Sequence, residues 1–325
     1  MPILTTRRAM LASTFGATLV PWSHAKAQTP KINELRLFVP AAPGGGWDGT
    51  ARAIEKVLKE RKTVGTIQLE NVAGAGGTVG LPRFIGMRGR RNTLMVSGLT
   101  LVSSAIANKS PMSASQTTPI ARITGETHVL VVPADSPLKT LADFVKAFRE
   151  DPRAMVVAGG SAGGTDHILL GMLADRLGVD TSRINYVAYS GGGPAVAAII
   201  GSHVKAGISN WSEFASHIES GKMRALGLSS EERLNGVNVP TMREAGVDVV
   251  LYNWRAVFAP PGIPDDHRAE LEALIEELVK SKEWIAETDQ REWQRIYMPR
   301  GEFASFLEQE TKAVGEILKR LGLAG

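Results

Sequence analysis

Gly159-Gly160-Ser161-Ala162-Gly163 satisfies the G-x-S-x-G spacing of a nucleophile elbow, in which a sharp strand-to-helix turn holds a serine hydroxyl clear of the backbone. Acyl transfer from Ser161 would need an acid and a histidine brought beside it by the fold. Asp166 and His167 follow too closely along the chain for the usual arrangement, and His203, His217 and His267 sit in no motif of their own. The run from Ala158 to His167 also suits anion binding: its four glycines bring N–H groups close to a guest, and free N–H groups at a helix N-terminus attract negative charge. Ser161, Thr165 and Asp166 are side chains that cap helices, and in that role Asp166 and His167 need no catalytic explanation. Earlier in the chain, Gly44-Gly45-Gly46-Trp47-Asp48-Gly49 satisfies G-x-G-x-x-G, with Glu70 about 20 residues further on, as a dinucleotide fold would require. Trp47 and Asp48 put bulk and negative charge where a pyrophosphate would approach, so a carboxylate held by loop N–H groups suits these residues better. Arg255, directly after Asn253-Trp254, has the fork geometry for a bidentate carboxylate contact. With no cysteine there are no disulfides, thiolates or cysteine-zinc sites, and the six histidines show no HExxH or similar metal spacing.

Strand, loop and helix succeed one another to present these loops. Strands are predicted at 34–39, 66–71 and 93–98, with helices at 50–59, 80–85 and 99–107, which implies a parallel, doubly wound sheet. Ligands of such sheets lie beyond the carboxyl ends of the strands, where both glycine loops fall. Two β-rich runs, 119–125 and 128–132, broken by Glu126-Thr127, carry the chain out of a first domain. A second α/β unit follows: helix 141–149, strand 155–158, helix 168–177, strand 184–189, a glycine turn opening a helix to 200, and strand 204–209. A linker with a short helix spans 231–246. Strand 255–259, helix 266–281, strand 293–298 and helix 302–321 then complete the first domain. The expected division is 28–126 plus 232–325 against 127–231. Trp47 is read as a pocket wall, and Trp211, Trp284 and Trp293 as core.

At 325 residues with 43% hydrophobic content, the chain can bury two such cores. Its N-terminus carries Arg7-Arg8, a modestly apolar stretch and Ala25-Lys26-Ala27, the layout of an export signal of twin-arginine or Sec type cleaved after Ala27. The formal charge of +4 loses Arg7, Arg8 and Lys26 with that segment and falls to +1, which implies no nucleic-acid partner. No later stretch has the roughly 18 uninterrupted apolar residues of a membrane span, so a soluble periplasmic protein is expected.

Taken together, Val39-Pro40-Ala41-Ala42-Pro43-Gly44-Gly45-Gly46-Trp47-Asp48, Glu70-Asn71-Val72-Ala73-Gly74-Ala75-Gly76-Gly77, Thr118-Pro119-Ile120-Ala121-Arg122, Ser190-Gly191-Gly192-Gly193 and Asn253-Trp254-Arg255 resemble the extracytoplasmic solute receptors of tripartite tricarboxylate transporters, the TctC or Bug family. The resemblance implies the type II fold of periplasmic binding proteins: two α/β domains, each a mainly parallel sheet flanked by helices, joined by a two-strand hinge and closing on a carboxylate. It places the ligand on Pro43, Gly44, Gly45, Gly46, Trp47 and Asp48 of the first loop and on Ser161, Ala162, Gly163, Gly164, Thr165, Asp166 and His167 of the second. Ser190, Gly191 and Ser209 are further contacts by the same resemblance. It also implies no cofactor, no metal and no catalysis, a citrate-like di- or tricarboxylate as ligand, membrane permease subunits as partners, and a monomer. An exported NAD-dependent oxidoreductase, a serine hydrolase and a solute sensor for signalling remain as alternative readings.

Overall fold

The structure, a computed structural model, describes residues 32–189 and 192–324, with 192–194 by their backbone alone. The proposed export signal, Ser190 and Gly191 therefore lie outside the described residues. The first unit opens with β1 (Ile32–Val39), α1 (Gly46–Glu60), β2 (Val64–Asn71), α2 (Gly80–Ile85), β3 (Thr93–Gly98) and α3 (Leu99–Ala107). β1 lies between β2 and β3, parallel to both. β3 is buried along its whole length, as expected of a central strand covered on both faces.

β4 (Thr118–Pro133) then runs unbroken for 16 residues. Glu126 and Thr127 do not interrupt it, contrary to the sequence expectation: both pair with β9 (Tyr252–Ala259), and Glu126 turns its carboxylate to Arg255 and Trp293. The break instead takes the form of two register shifts, at 119–121 and 122–124, which keep the strand paired while re-aiming its side chains. The first half of β4 pairs with β9 and thus joins the first sheet; its second half pairs with β7 (Ala206–Asn210) and β8 (Met223–Leu228) and joins a second. The rest of the second unit is α4 (Leu141–Glu150), β5 (Val156–Gly159), α5 (Thr165–Arg176), β6 (Asn185–Ala188), α6 (Gly192–Ile200) and α7 (Trp211–Glu219), with β5 parallel to β6 and β7. The strand order is β2-β1-β3-β9-β4-β7-β5-β6, parallel in its outer parts and antiparallel around β4 and β9. The chain returns between the sheets through 229–251, where Ser229 N donates to His128 O and Leu251 N to Ser229 O.

α8 (Asp265–Val279), α9 (Lys282–Gln290), β10 (Met298–Pro299) and α10 (Arg300–Arg320) complete the first unit. Three sequence expectations are corrected here. Residues 231–246 form no helix; Thr241 and Glu244 bind each other's backbone N–H groups and hold turns instead. The strand expected at 293–298 shrinks to a bridge at Gln294 and the two-residue β10, because Trp293 faces inward and the Arg122 side chain takes the Ile296 carbonyl that a ladder would use. The helix expected to run to Ser281 ends at Val279, and Ser281 starts α9 by accepting from Trp284 N at 3.2 Å. α9, α7 and β8 had no counterpart in the sequence reading. Among the described residues, no helix is long and apolar enough to cross a membrane.

Candidate ligand-binding site

Both glycine loops feed straight into helices, and each helix begins earlier than its apolar spacing suggests. α1 starts at Gly46 behind Gly45, and α5 at Thr165 behind Gly164; neither glycine cap supplies a side-chain bond. Trp47 and Asp48 thus belong to the first turn of α1, and Thr165, Asp166 and His167 to that of α5. First-turn N–H groups have no acceptor within their own helix and are open to a guest.

Asp48 is fully buried and turned away from solvent. Its Oδ2 accepts from Gly44 N at 2.9 Å and from Arg52 Nε at 2.7 Å, and its Oδ1 from Asn71 Nδ2 at 3.0 Å. Burial alone would raise this carboxyl, but those three donors outweigh it and hold the group below the usual carboxylate range. Asp48 therefore fixes the glycine loop against the end of β2. Gly44, at φ 81°, adopts the left-handed conformation that the turn requires.

A cleft of about 490 Å³ opens beyond the carboxyl ends of the first-sheet strands. Gly46 and Trp47 form one wall, the Gly74–Gly77 loop and Thr100 a second, and Asn210, Ser212 and Glu213 of the second unit face them. Glu126, Asn253 and Arg255 from the crossing strands form its floor. A neighbouring hollow lined by Gly44, Gly45, Arg291 and Trp293 shares Gly46, Glu126, Ser212 and Arg255 with the cleft.

Arg255 is only 4% exposed. Its Nη2 meets Glu126 Oε1 at 2.9 Å, its Nη1 donates to Thr50 Oγ1 at 3.3 Å, and its guanidinium carbon sits 5.3 Å above the Trp293 ring. Glu126 Oε1 also accepts from Trp293 Nε1 at 2.9 Å. A Cβ on Gly46 would come within 2.6 Å of Arg255 Nη2, so the missing side chain is what lets the guanidinium reach the start of α1. Among the described residues, Arg255 Nε is buried without a partner. Across the cleft, Glu213 accepts from Ser209 Oγ; burial pushes its carboxyl up, and the charges of Asp166 and Glu126 push it the same way.

The α5 loop has different surroundings. Asp166 Oδ2 accepts from Gly160 N at 2.7 Å, and its Oδ1 lies 3.0 Å from His128 Nε2, which also meets Thr165 Oγ1 at 2.9 Å. His167 stacks on Tyr186 at 4.1 Å, and its Nδ1 accepts from Gly163 N at 3.2 Å. Burial pulls its pKa down to about 4, leaving the ring neutral near pH 7. Among the described residues no hydrogen bond joins Ser161 Oγ to a histidine. Ser161 and Ala162 are exposed, whereas Gly163 packs toward Ala107 of α3 and Leu318 of α10.

The structure therefore gathers Gly46, Trp47 and Arg255 around the cleft, with Gly44 and Gly45 in the adjoining hollow. Ser209 stands behind Glu213, Asp48 beneath the loop, and residues 161–167 line neither space. Pro43 lines neither space as well. Sequence reasoning missed Glu126, Asn210, Ser212, Glu213 and Asn253. The Gly74–Gly77 loop carries the family resemblance but is absent from the expected ligand contacts, although its glycine density was the available signal.

The family model described as "Tripartite tricarboxylate transporter family receptor" matches residues 50–323. The chain belongs to this receptor family. The receptor is 30% identical to "Protein BugT" of Bordetella pertussis, over 85% of this chain and 86% of that one. Among solved structures it resembles a TctC solute binding protein from Polaromonas, with a TM-score of 0.76 at 24% identity, covering 89% of this chain and 99% of the other. It also resembles MatC from Rhodopseudomonas palustris with bound malate, with a TM-score of 0.70 at 25% identity and the same coverages. These likenesses establish the two-domain type II fold. They also make the receptor a solute-binding protein and replace the oxidoreductase and hydrolase readings of its glycine motifs.

Proposed function

We propose that the receptor binds a di- or tricarboxylate of citrate-like or malate-like size between α1 and α7, and closes over it about β4 and residues 229–251. The observation that carries this reading is the junction of an uncapped α1 N-terminus with the glycine loop 74–77 around one polar cleft. N–H donors of this kind stabilise a carboxylate without a net positive pocket, in keeping with a mature charge of +1. The domains would be 28–126 plus 232–325 and 127–231, with residues 161–167 and 190–191 approaching the ligand on closure. In this reading the protein is exported to the periplasm, works as a monomer and hands its ligand to the permease subunits of a tripartite transporter. MatC, with malate bound, supports a carboxylate as the ligand.

Trp47 lines the cleft and makes the test optical. The chain from Gln28 onward is titrated with malate, succinate, citrate and NAD while tryptophan fluorescence is followed, with Trp47→Phe as the control. Saturable change with at least one of the acids, reduced in Trp47→Phe, is expected. A response to NAD alone, or to none of them, would sink the assignment. Loss of uptake of the same acid in cells lacking the receptor then tests delivery.

A further inference from the structure

A second cavity, of about 540 Å³, lies between α5 and α10 and shares no lining residue with the cleft. The two are separated by β9, whose alternate residues point to opposite faces: Asn253 and Arg255 reach the cleft, Tyr252 and Trp254 the cavity. Its walls are mainly apolar, including Ile168 and Met172 of α5, Leu251, and Phe306 and Ile317 of α10. Two ion pairs border it, Arg176–Asp248 at 2.9 Å and Arg320–Asp175 at 3.1 Å, so those charges are mutually satisfied. Arg122 is different. Its Nε donates to Ile296 O at 3.0 Å and its guanidinium carbon stacks 4.5 Å from the Phe306 centroid, but it forms no ion pair, and both Nη groups lack a partner among the described residues. Glu310, which also lines the cavity, accepts from Trp254 Nε1 at 3.1 Å; burial pushes its carboxyl up while the charge of Arg122 pulls it down, and no ion pair joins the two among the described residues. Of the other lining carboxylates, Glu231 pairs with Arg243 at 3.1 Å and Glu316 is exposed.

We propose that this cavity is a second ligand site, taking a monocarboxylate with an apolar aliphatic or aromatic body, whose carboxylate pairs with the free Nη fork of Arg122 and whose body lies against Met172, Trp254 and Phe306. A guanidinium fork held flat against a ring and open at its outer edge matches a carboxylate bidentately. The volume falls within the range of small-molecule pockets. A dicarboxylate would bring a second charge among apolar side chains and beside Glu310, with no second unpaired cation among the described lining residues to meet it. The site thus selects against the ligands proposed for the cleft.

The test uses hexanoate and benzoate as probes, followed by saturation-transfer NMR and calorimetry on the chain from Gln28 onward. Three proteins are compared: the wild type, Arg122→Met, which keeps the stack on Phe306, and Met172→Trp, which fills the cavity. Thermal melts show that each is folded. Saturable binding of at least one probe is expected, weakened about tenfold or more by Arg122→Met and abolished by Met172→Trp. Malate should leave probe binding unchanged, and both variants should keep the wild-type response to carboxylates at the cleft. No saturable binding of either probe up to about 10 mM would overturn the proposal, as would binding that survives both variants or is displaced by malate. Because no probe arm requires an occupied cleft, failure here is distinct from failure of the cleft assignment.

Discussion

Replacing Arg255 by methionine should destabilise the receptor far more than its place on a cleft floor suggests, and replacing Glu126 with it should restore most of the loss. The two side chains meet at 2.9 Å with side-chain exposures of 4% and 11%, so removing one leaves a buried, uncompensated charge. Such losses are about 3–5 kcal/mol, whereas removing both charges together often costs little. In a chain of this size 1 kcal/mol shifts the melting temperature by about 1.6 °C, so Arg255→Met should melt at least about 5 °C below the wild type. Glu126→Gln keeps an oxygen for the indole of Trp293. In Arg255→Met/Glu126→Gln no charge remains unpaired, whereas each single variant strands the other partner's charge, so the double variant should melt above both single variants and recover most of the way to the wild type. Thermal melts and urea titrations of all four proteins complete the cycle. Additive losses, within about 0.5 kcal/mol, would refute the pairing and return Arg255 to the role of a free carboxylate clamp.

Three further outcomes follow from the same geometry. His167 has a folded pKa of about 4 against an unfolded value near 6.5, so the unfolded chain takes up a proton that the folded one refuses; stability should fall by about 2–3 kcal/mol as pH drops from 6.5 toward 4. In His167→Asn, whose Oδ1 can still accept from Gly163 N, that part of the acid loss should vanish from pH-dependent urea titrations; an unchanged profile would count against it. Asp48→Ala deprives the Gly44 N–H, Asn71 and Arg52 of their acceptor and should lower stability by about 2–3 kcal/mol in urea unfolding, while Asp48→Asn, which keeps part of the acceptor set, should lose less. Glu213 is raised by burial and faces Asp166, Glu126 and His128, so an anion entering the cleft should raise it further and draw a proton on binding. Carboxylate affinity should therefore rise as pH falls, with calorimetry in buffers of different ionisation enthalpy reading the proton uptake; Glu213→Gln should reduce both effects, and equal uptake in the variant would exclude Glu213 as its source.

The sequence made the scaffold legible where local chemistry and tertiary packing agree. The apolar runs at 34–39 and 93–98 became strands, and the glycine loop after the first became the start of α1, because a buried parallel strand leaves little choice of pattern. Loop chemistry was legible as backbone, since glycine density marks where N–H groups are exposed, but not as side-chain direction. Asp48 reads as a polar residue on a ligand loop, yet Arg52, one turn later, and Asn71, in a different strand, draw it inward. Glu126 and Arg255 stand 129 positions apart, and only the antiparallel pairing of β4 with β9 brings them together. The gap inferred at Glu126-Thr127 followed from the same limit: a polar pair inside a β-rich run looks like a turn until a buried arginine and an indole supply its partners.

Those long-range pairs also bear on how a cleft with two carboxylates can attract a third. Arg255 would seem the natural anchor for an anionic ligand, but Glu126 already holds it, and the pair presents almost no net charge to the cleft. Glu213 resists ionisation where it stands, so it opposes an incoming anion less than a free carboxylate would. With the side-chain charges so balanced, the remaining attraction at the proposed site would come from backbone dipoles: the uncapped N–H groups at the start of α1, the glycine loop 74–77 and the first turn of α7 behind Asn210. Dipoles fixed in a fold cannot move to follow a ligand, so they favour carboxylates whose spacing matches the positions of the helix starts. The proposed rotation about β4 would change that spacing, because α1 belongs to one sheet and α7 to the other. In the proposed function, domain closure would then be the step at which ligand length is measured, and the balanced charges of Arg255 and Glu126 would keep total charge from overriding that measurement.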